Sequence, residues 1–236
     1  PSEYYEHMAG CKKLPTTSQP SPELFLSHFL AAKAAGDTVI CVLLSAALSG
    51  TCQSAEIAKE EAEYDNIHIV DSRSATLGLQ LLVRRAVQRV AEGFSAMDIV
   101  ADLETARTHL RLYAVVDTLK YLHKGGRLGK NAMIIGNILG IKPIVTISAE
   151  GTVDVVGKAL GQRKALKVVN DFFRAERPDP AYPVLYLYSK VDDAGRKLIE
   201  QTGGDPETTE FYNLCCAVGA HIGTNAAGLA FVSSEE

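Results

Sequence analysis

The run TVICVLL, residues 38–44, is apolar or β-branched throughout, with none of the alternation of a strand that shows one face to water. Such a run suits a strand buried on both faces, as in a parallel sheet covered by helices. The segments around it keep to the same plan. PELFLSHFLAAKAAG before it has a proline-led helix start after Ser21, an apolar stripe through Leu24, Phe25, Phe29 and Leu30, and Gly36 as its stop. After it come a helix (CQSAEIAKEEAEY), a strand (NIHIVDS), an amphipathic helix (LQLLVRRAVQRVAEG) and another opened by Ser95 and Asp98 at capping-box spacing. RLYAVVD reads as a third strand of this alternation. Strand following helix in this way predicts a mostly parallel sheet wrapped by helices.

The texture changes near residue 118. LKYLHKGGRLGKNAMIIGNILG reads as a helix, a glycine-broken loop and a short helix of small residues. Two β-rich runs around Ala149-Glu150-Gly151 give a hairpin signal. Helix, strand, helix and strand follow, with TEFYNLCCAV as a strand, GAHIGTNAAG as a glycine-rich turn and LAFVSS as the last strand. The fold expected is α/β: residues 1–118 form an N-terminal domain with a mostly parallel sheet. Residues 119–236 form a C-terminal α+β domain with a mixed sheet.

With 236 residues and a net charge of −4, the chain has neither the basic face of a nucleic-acid binder nor an apolar run of the length that spans a bilayer. The N-terminus lacks the charged and apolar regions of a secretory signal, and the odd set of five cysteines has no CxxC. Both features favour reduced thiols and a cytoplasmic protein. Nucleotide and hydrolase signatures (GxGxxG after a strand, GxxxxGK[ST], HExxH, GxSxG) are absent. KGGRLGK has the wrong glycine spacing for a phosphate loop and reads as a flexible basic loop, open to a docking role. His7, His28, His68, His109 and His123 are scattered without ligand spacing, so no metal is expected.

Three polar turns stand out: Thr16 to Gln19, Ser45 to Thr51, and Gly219 to Asn225. The second should lie at the carboxyl end of a strand and the start of a helix, where unpaired amides favour an anion. It reads equally well as a tight turn with a helix cap. Cys52, in the first helical turn, reads as an incidental small residue, since no histidine is near it in sequence. His221, set between Gly219 and Gly223, is open to a turn role or to a ligand or proton role.

TSQPSPELF at 17–25, LSAALSGTCQSA at 44–55, YLHKGGRL at 121–128, KPI at 142–144 and GAHIG at 219–223 resemble, in order and spacing, the DegV family. The resemblance implies a two-domain protein that binds one long-chain fatty acid without any other cofactor. It also implies presentation of that acid to a separate ATP-using partner, the fatty acid kinase A subunit. Carried over by motif, Thr17 and Ser49 hold the carboxylate with His221 close by, and Ser18, Gly50 and Thr51 add amides or hydroxyls. Lys124 and Arg127 are candidates for docking the partner. Against the family pattern the chain starts late, so it is expected to be a piece of a longer protein. Cys52 stands where the family has tyrosine, and HIGTN stands for HxGPG. Two other readings keep the fold: a lone hydrolase or acyl transferase using Ser49 and His221, and a lipid store or sensor without a kinase.

Overall fold

A computed structural model of the chain describes residues 2–11, 13–129 and 140–234. The short helix of small residues expected near 131–139 lies outside the described residues. Two compact units emerge. One comprises Ser18–His109 and Ala149–Gly151; the other comprises Pro1–Thr17, Leu110–Ser148 and Thr152–Glu236.

The chain opens with helix α1 (Ser2–Gly10) in the second of these units, then crosses into the first unit at Ser18. There α2 (Pro22–Ala35), β1 (Val39–Leu43), α3 (Thr51–Ala62), β2 (Ile67–Asp71), α4 (Thr76–Ala91) and α5 (Ala96–Ala106) follow in order. Gly36 ends α2 in the left-handed conformation, as its position in the sequence predicts. Ser95 accepts the Asp98 amide while its hydroxyl meets the Asp98 carboxylate, so the capping pair forms. The small side chains Ala55, Ala58 and Ala62 give α3 a flat buried face, and Phe29 of α2 packs there with Ile67. Lys33 reaches across from α2 to donate to the carbonyls of Ala62 and Glu63 at the end of α3. β1 and β2 run parallel in a two-stranded sheet. β1 is half-buried at all five residues rather than covered on both faces, because among the described residues it pairs with β2 alone.

β3 (Leu110–Val115) departs from the sequence expectation. It lies in a separate six-stranded sheet, antiparallel to both of its neighbours. An apolar run announces burial on two faces but not which strands will flank it. After α6 (Lys120–Lys124) come the expected hairpin of β4 (Ile141–Ile147) and β5 (Val153–Leu160), then α7 (Gln162–Ala175), β6 (Leu185–Tyr188), α8 (Asp193–Thr202) and β7 (Phe211–Asn213). Helix α9 (Cys216–Ile222) and the fully buried β8 (Ala227–Val232) complete the unit. The sheet order is β5-β4-β3-β8-β6-β7, with β6 and β7 parallel and the other pairs antiparallel. Leu166 and Val169 of α7 and Leu198 and Ile199 of α8 share one core with Tyr113, Ile144, Leu229 and Phe231.

The sequence reads residues 209–218 as a strand and 219–228 as a turn, whereas the strand stops at Asn213 and a helix occupies 216–222. Gly219, a turn signal in isolation, is an α9 residue because Tyr5 of α1 lies against it. A Cβ there would stand 2.6 Å from the Tyr5 hydroxyl. That hydroxyl donates to the Leu214 carbonyl at 3.0 Å, and Tyr5 is fully buried. Gly219→Ala should therefore destabilise the protein by about 1–3 kcal/mol through overpacking, although alanine is the better helix former by about 1 kcal/mol. Urea denaturation of the two proteins checks this; a more stable alanine variant would show that Tyr5 does not need the space.

Candidate functional site

In the unit that holds the six-stranded sheet, α9 carries His221 in its last turn. The turn after it is fixed from several sides. Gly223 ends the helix at φ 85°, where a Cβ would meet the Tyr121 ring at 2.5 Å. Ser189, fully buried, donates to the Gly223 carbonyl at 3.0 Å and accepts the Ala226 amide at 2.8 Å. Asn225 adopts a left-handed φ of 60° and donates its side-chain amide to Asp117 at 2.7 Å; Asp117 also takes Lys142. Asparagine tolerates that conformation better than most residues. HIGTN thus makes an ordered turn without the proline and glycine of the family pattern.

His221 Nε2 lies 2.7 Å from the Thr17 hydroxyl. Its Nδ1 is buried and has no hydrogen-bond partner among the described residues. The ring sits tight over Gly125, where a Cβ would come within 2.5 Å of Nδ1. Burial first, and the nearby Arg127 charge second, hold the His221 pKa below the ordinary histidine range. The imidazole is therefore neutral at pH 7. With its proton on Nε2 it donates to Thr17, which leaves the Thr17 O–H to serve another acceptor. With its proton on Nδ1 the threonine hydroxyl is consumed by the ring instead.

Beside this pair lies a cavity of about 500 Å³. Thr16, Thr17 and His221 line it with Tyr121, the cations Lys13, Lys124 and Arg127, and no carboxylate. Arg127 donates Nη1 to the Gly125 carbonyl at 2.7 Å. Lys13 and Tyr121 are not among the residues that the sequence singles out, yet both carry a signal there: Lys13 shortly precedes the TTSQPS turn, and Tyr121 opens the YLHKGGRL motif. Asp117 and Ser189 carry none, since a polar residue at a strand end announces no partner.

The other unit holds the second polar turn. Ser45 is fully buried and committed to structure: it donates to the Gly151 carbonyl at 2.8 Å and accepts the Ala47 amide at 3.2 Å. Asp71, at the end of β2, accepts the amides of Ala46 and Arg73, tying together the turns that follow the two strands. Gly50 precedes α3, and no side chain caps the helix. Its first amides therefore lack intrahelical acceptors. Ser49 and Thr51 exchange a hydrogen bond of 2.8 Å beside them. Gln19 lies over Gly50, whose Cβ would stand 2.7 Å from the Gln19 side-chain nitrogen, and Ser18 is exposed. Ser49, Thr51 and the first amides of α3 are the neutral donors of this turn, with the Ala46 amide already taken by Asp71. Cys52 contributes little reactivity: burial above all pushes its thiol up to about 11, and Sγ rests 3.6 Å from the Leu44 carbonyl.

The family model for DegV, described as an uncharacterised protein family, matches residues 1–234. The chain belongs to the DegV family. A DegV domain-containing protein of Caldanaerobacter subterraneus is 35% identical over 222 residues, which cover 93% of this chain and 79% of that protein. Among solved structures, the DegV family protein of Thermus thermophilus, described for its fatty acid binding, is 32% identical. It superimposes with a TM-score of 0.87 over 98% of this chain and 84% of its own. The fatty acid kinase (Fak) B3 protein of Streptococcus pneumoniae, solved loaded with linoleic acid, shares the DegV fold. Its TM-score is 0.83 at 21% identity, over 98% of this chain and 83% of its own. No helix among the described residues is long and apolar enough to cross a membrane, and no group of three metal-ligating side chains is found among them.

The neutral state of His221 has a consequence for stability. A histidine whose pKa is depressed on folding adds stability that is present above its unfolded value, near 6.5, and lost as pH falls through the lower folded value. Relative to His221→Gln, the native chain should lose melting temperature below about pH 6.5 and keep it above. Paired thermal melts across pH check this; a gap that widened in favour of the native chain on acidification would mean a charged imidazole.

Proposed function

We propose that this chain binds one long-chain fatty acid and presents its carboxylate to a separate fatty acid kinase A subunit in the cytoplasm. The proposed head-group donors are Thr17, Ser18, Ser49, Gly50, Thr51 and His221. The observation that carries this reading is the 2.7 Å pair of Thr17 and a neutral His221. A neutral imidazole that donates from Nε2 turns the Thr17 hydroxyl outward as a donor, which is what an incoming carboxylate requires. The uncapped start of α3, with Ser49 and Thr51 beside it, offers the same neutral chemistry.

A carboxylate that leaves water needs several such donors, or it costs several kcal/mol. The tail contributes about 0.8 kcal/mol per buried CH₂, so tail burial dominates affinity and the head-group donors set orientation. The fatty acid binding described for the Thermus thermophilus relative supports the ligand class. The fold shared with the fatty acid kinase B3 protein is consistent with a carrier role, and the exposed Lys124 with half-buried Arg127 supplies a basic contact for the kinase partner. The hydrolase reading lacks an activated nucleophile. The hydroxyl of Ser49 is paired with that of Thr51, which is no general base, and His221 is engaged with Thr17.

Native mass spectrometry of the protein purified from cells, followed by lipid extraction, tests the ligand. The expected spectrum shows one fatty-acid adduct per chain, and Thr17→Ala with Ser49→Ala weakens binding by about tenfold or more. A ligand-free mass together with no uptake of added oleate overturns the reading. Acyl phosphate should form from ATP and the loaded chain when a kinase A subunit is added, and not without one.

A further inference from the structure

The turn between β1 and α3 uses up its backbone amides before it reaches the proposed donors. Four consecutive amides have partners inside the protein: Ala46 on the Asp71 carboxylate, Ala47 on the Ser45 hydroxyl oxygen, and Leu48 and Ser49 on the Ser45 carbonyl at 3.0 and 3.2 Å. Three of those four end on one residue. Ser45 is fully buried, and its own amide donates to the Ser74 carbonyl at 2.8 Å. Its hydroxyl proton goes to the Gly151 carbonyl. Every polar atom of Ser45 therefore has a partner, and the backbone from 45 to 49 folds around it. Gly151 lies at the tip of the β4–β5 hairpin. The tip, Ala149–Gly151, belongs to the compact unit of Ser45, whereas both strands belong to the other. Gly151 stands at φ 83°, and a Cβ there would collide with the Ser45 hydroxyl and lie 3.3 Å from Arg73 Cα. Glycine serves the hairpin turn at such a φ in any case. The turn alone does not require a buried serine 106 positions away to bond its carbonyl.

We propose that Ser45, held by the hairpin tip at Gly151, is a positioning residue for the Ser49 hydroxyl and decides which groups of this turn a carboxylate can use. The proposal rests on the fatty-acid reading for its ligand. By taking the Leu48 and Ser49 amides on its carbonyl, Ser45 fixes the backbone at Ser49 and leaves that residue its hydroxyl as the donor to offer. The hydroxyls of Ser49 and Thr51 lie 2.8 Å apart. The pair has two protons and uses one internally, so the other is there for a ligand oxygen. The donors of the turn are then this proton and the amides from Gly50 onward, at the uncapped start of α3. Loss of the Ser45 hydroxyl would strand the Gly151 carbonyl and the Ala47 amide and let the turn relax. A shift of about 0.5 Å is enough to take a hydroxyl out of good hydrogen-bonding distance.

The experiment is calorimetric titration of the full chain with palmitate and with hexadecanol, which has the same tail length and no charge. The native chain is compared with Ser45→Ala, Gly151→Ala, Ser49→Ala and the double variant Ser45→Ala/Ser49→Ala, each checked by thermal melting. A purely structural loss would weaken both ligands together. Misplaced head-group donors instead lower the preference for palmitate over hexadecanol, by about tenfold in Ser45→Ala and in Gly151→Ala. Because Ser45 acts through Ser49, the double variant should lose less of that preference than the product of the two single losses. Amide hydrogen exchange on the native chain gives a readout that needs no variant to fold. The Ala47, Leu48 and Ser49 amides should be protected before palmitate is added and unchanged by it, while those of Thr51 and Cys52 slow on binding. New protection at Leu48 and Ser49 on binding would make those amides ligand donors and overturn the proposal. A ratio unmoved in folded Ser45→Ala and Gly151→Ala, or single losses that multiply in the double variant, overturns it too and leaves the fatty-acid reading standing. Palmitate that does not bind the native chain removes that reading, and the positioning role with it.

Discussion

The contact between Thr17 and His221 joins residues 204 positions apart in the sequence, and much of the unit around it serves to make it possible. One partner is fixed by way of α1. Tyr5 locks that helix to α9 by filling the space that Gly219 leaves and by bonding the Leu214 carbonyl, and Thr17 follows seven residues after its end. The other partner is fixed by the turn after α9, where Ser189, Asp117 and Tyr121 hold the backbone from Gly223 to Ala226. Two glycines, Gly219 and Gly223, are needed here for close approach rather than for flexibility. Each admits an aromatic ring to within a distance that no Cβ would allow.

The cost of this arrangement falls on His221. Its Nδ1 is buried without a partner among the described residues, a condition that costs on the order of 1–3 kcal/mol in a folded protein. Groups in that condition tend to be tolerated where they do something. Here the same burial, aided by Arg127, keeps the ring neutral, and a neutral ring has one donor to place. A charged imidazole would bind a carboxylate more strongly, but it would also bring a full positive charge to a group that already has cations close at hand.

The helices and strands around TVICVLL are legible in the sequence because periodicity and caps are local signals. Gly36 and the pair Ser95–Asp98 do in the structure what their positions announce. Pairing is not local. LRLYAVV has the same apolar texture as TVICVLL, yet it runs antiparallel between β4 and β8, because its neighbours lie about 30 and 120 residues further along the chain. The helix at 216–222 is hidden for a related reason. Gly219 and Gly223 read as a turn until Tyr5 and Tyr121 show why glycine is required. In the candidate site the polar turns are visible by composition, but their contents are not sorted. Ser45 and Ser49 look alike in LSAALSGT; one is buried and bonded to a backbone carbonyl, the other pairs with Thr51 at the start of a helix.

That sorting bears on how a carrier could prepare an acid for phosphorylation. A carboxylate that accepts a phosphoryl group must attack with its oxygen, and an ion pair with lysine or arginine would draw charge away from that oxygen. Neutral hydroxyls and amides orient it at a smaller cost to its basicity. On the proposed reading Thr17, Ser49 and the first amides of α3 take that part. Thr17 is bonded to an imidazole that burial first, and the neighbouring guanidinium second, keep uncharged, so that its hydroxyl is left to donate.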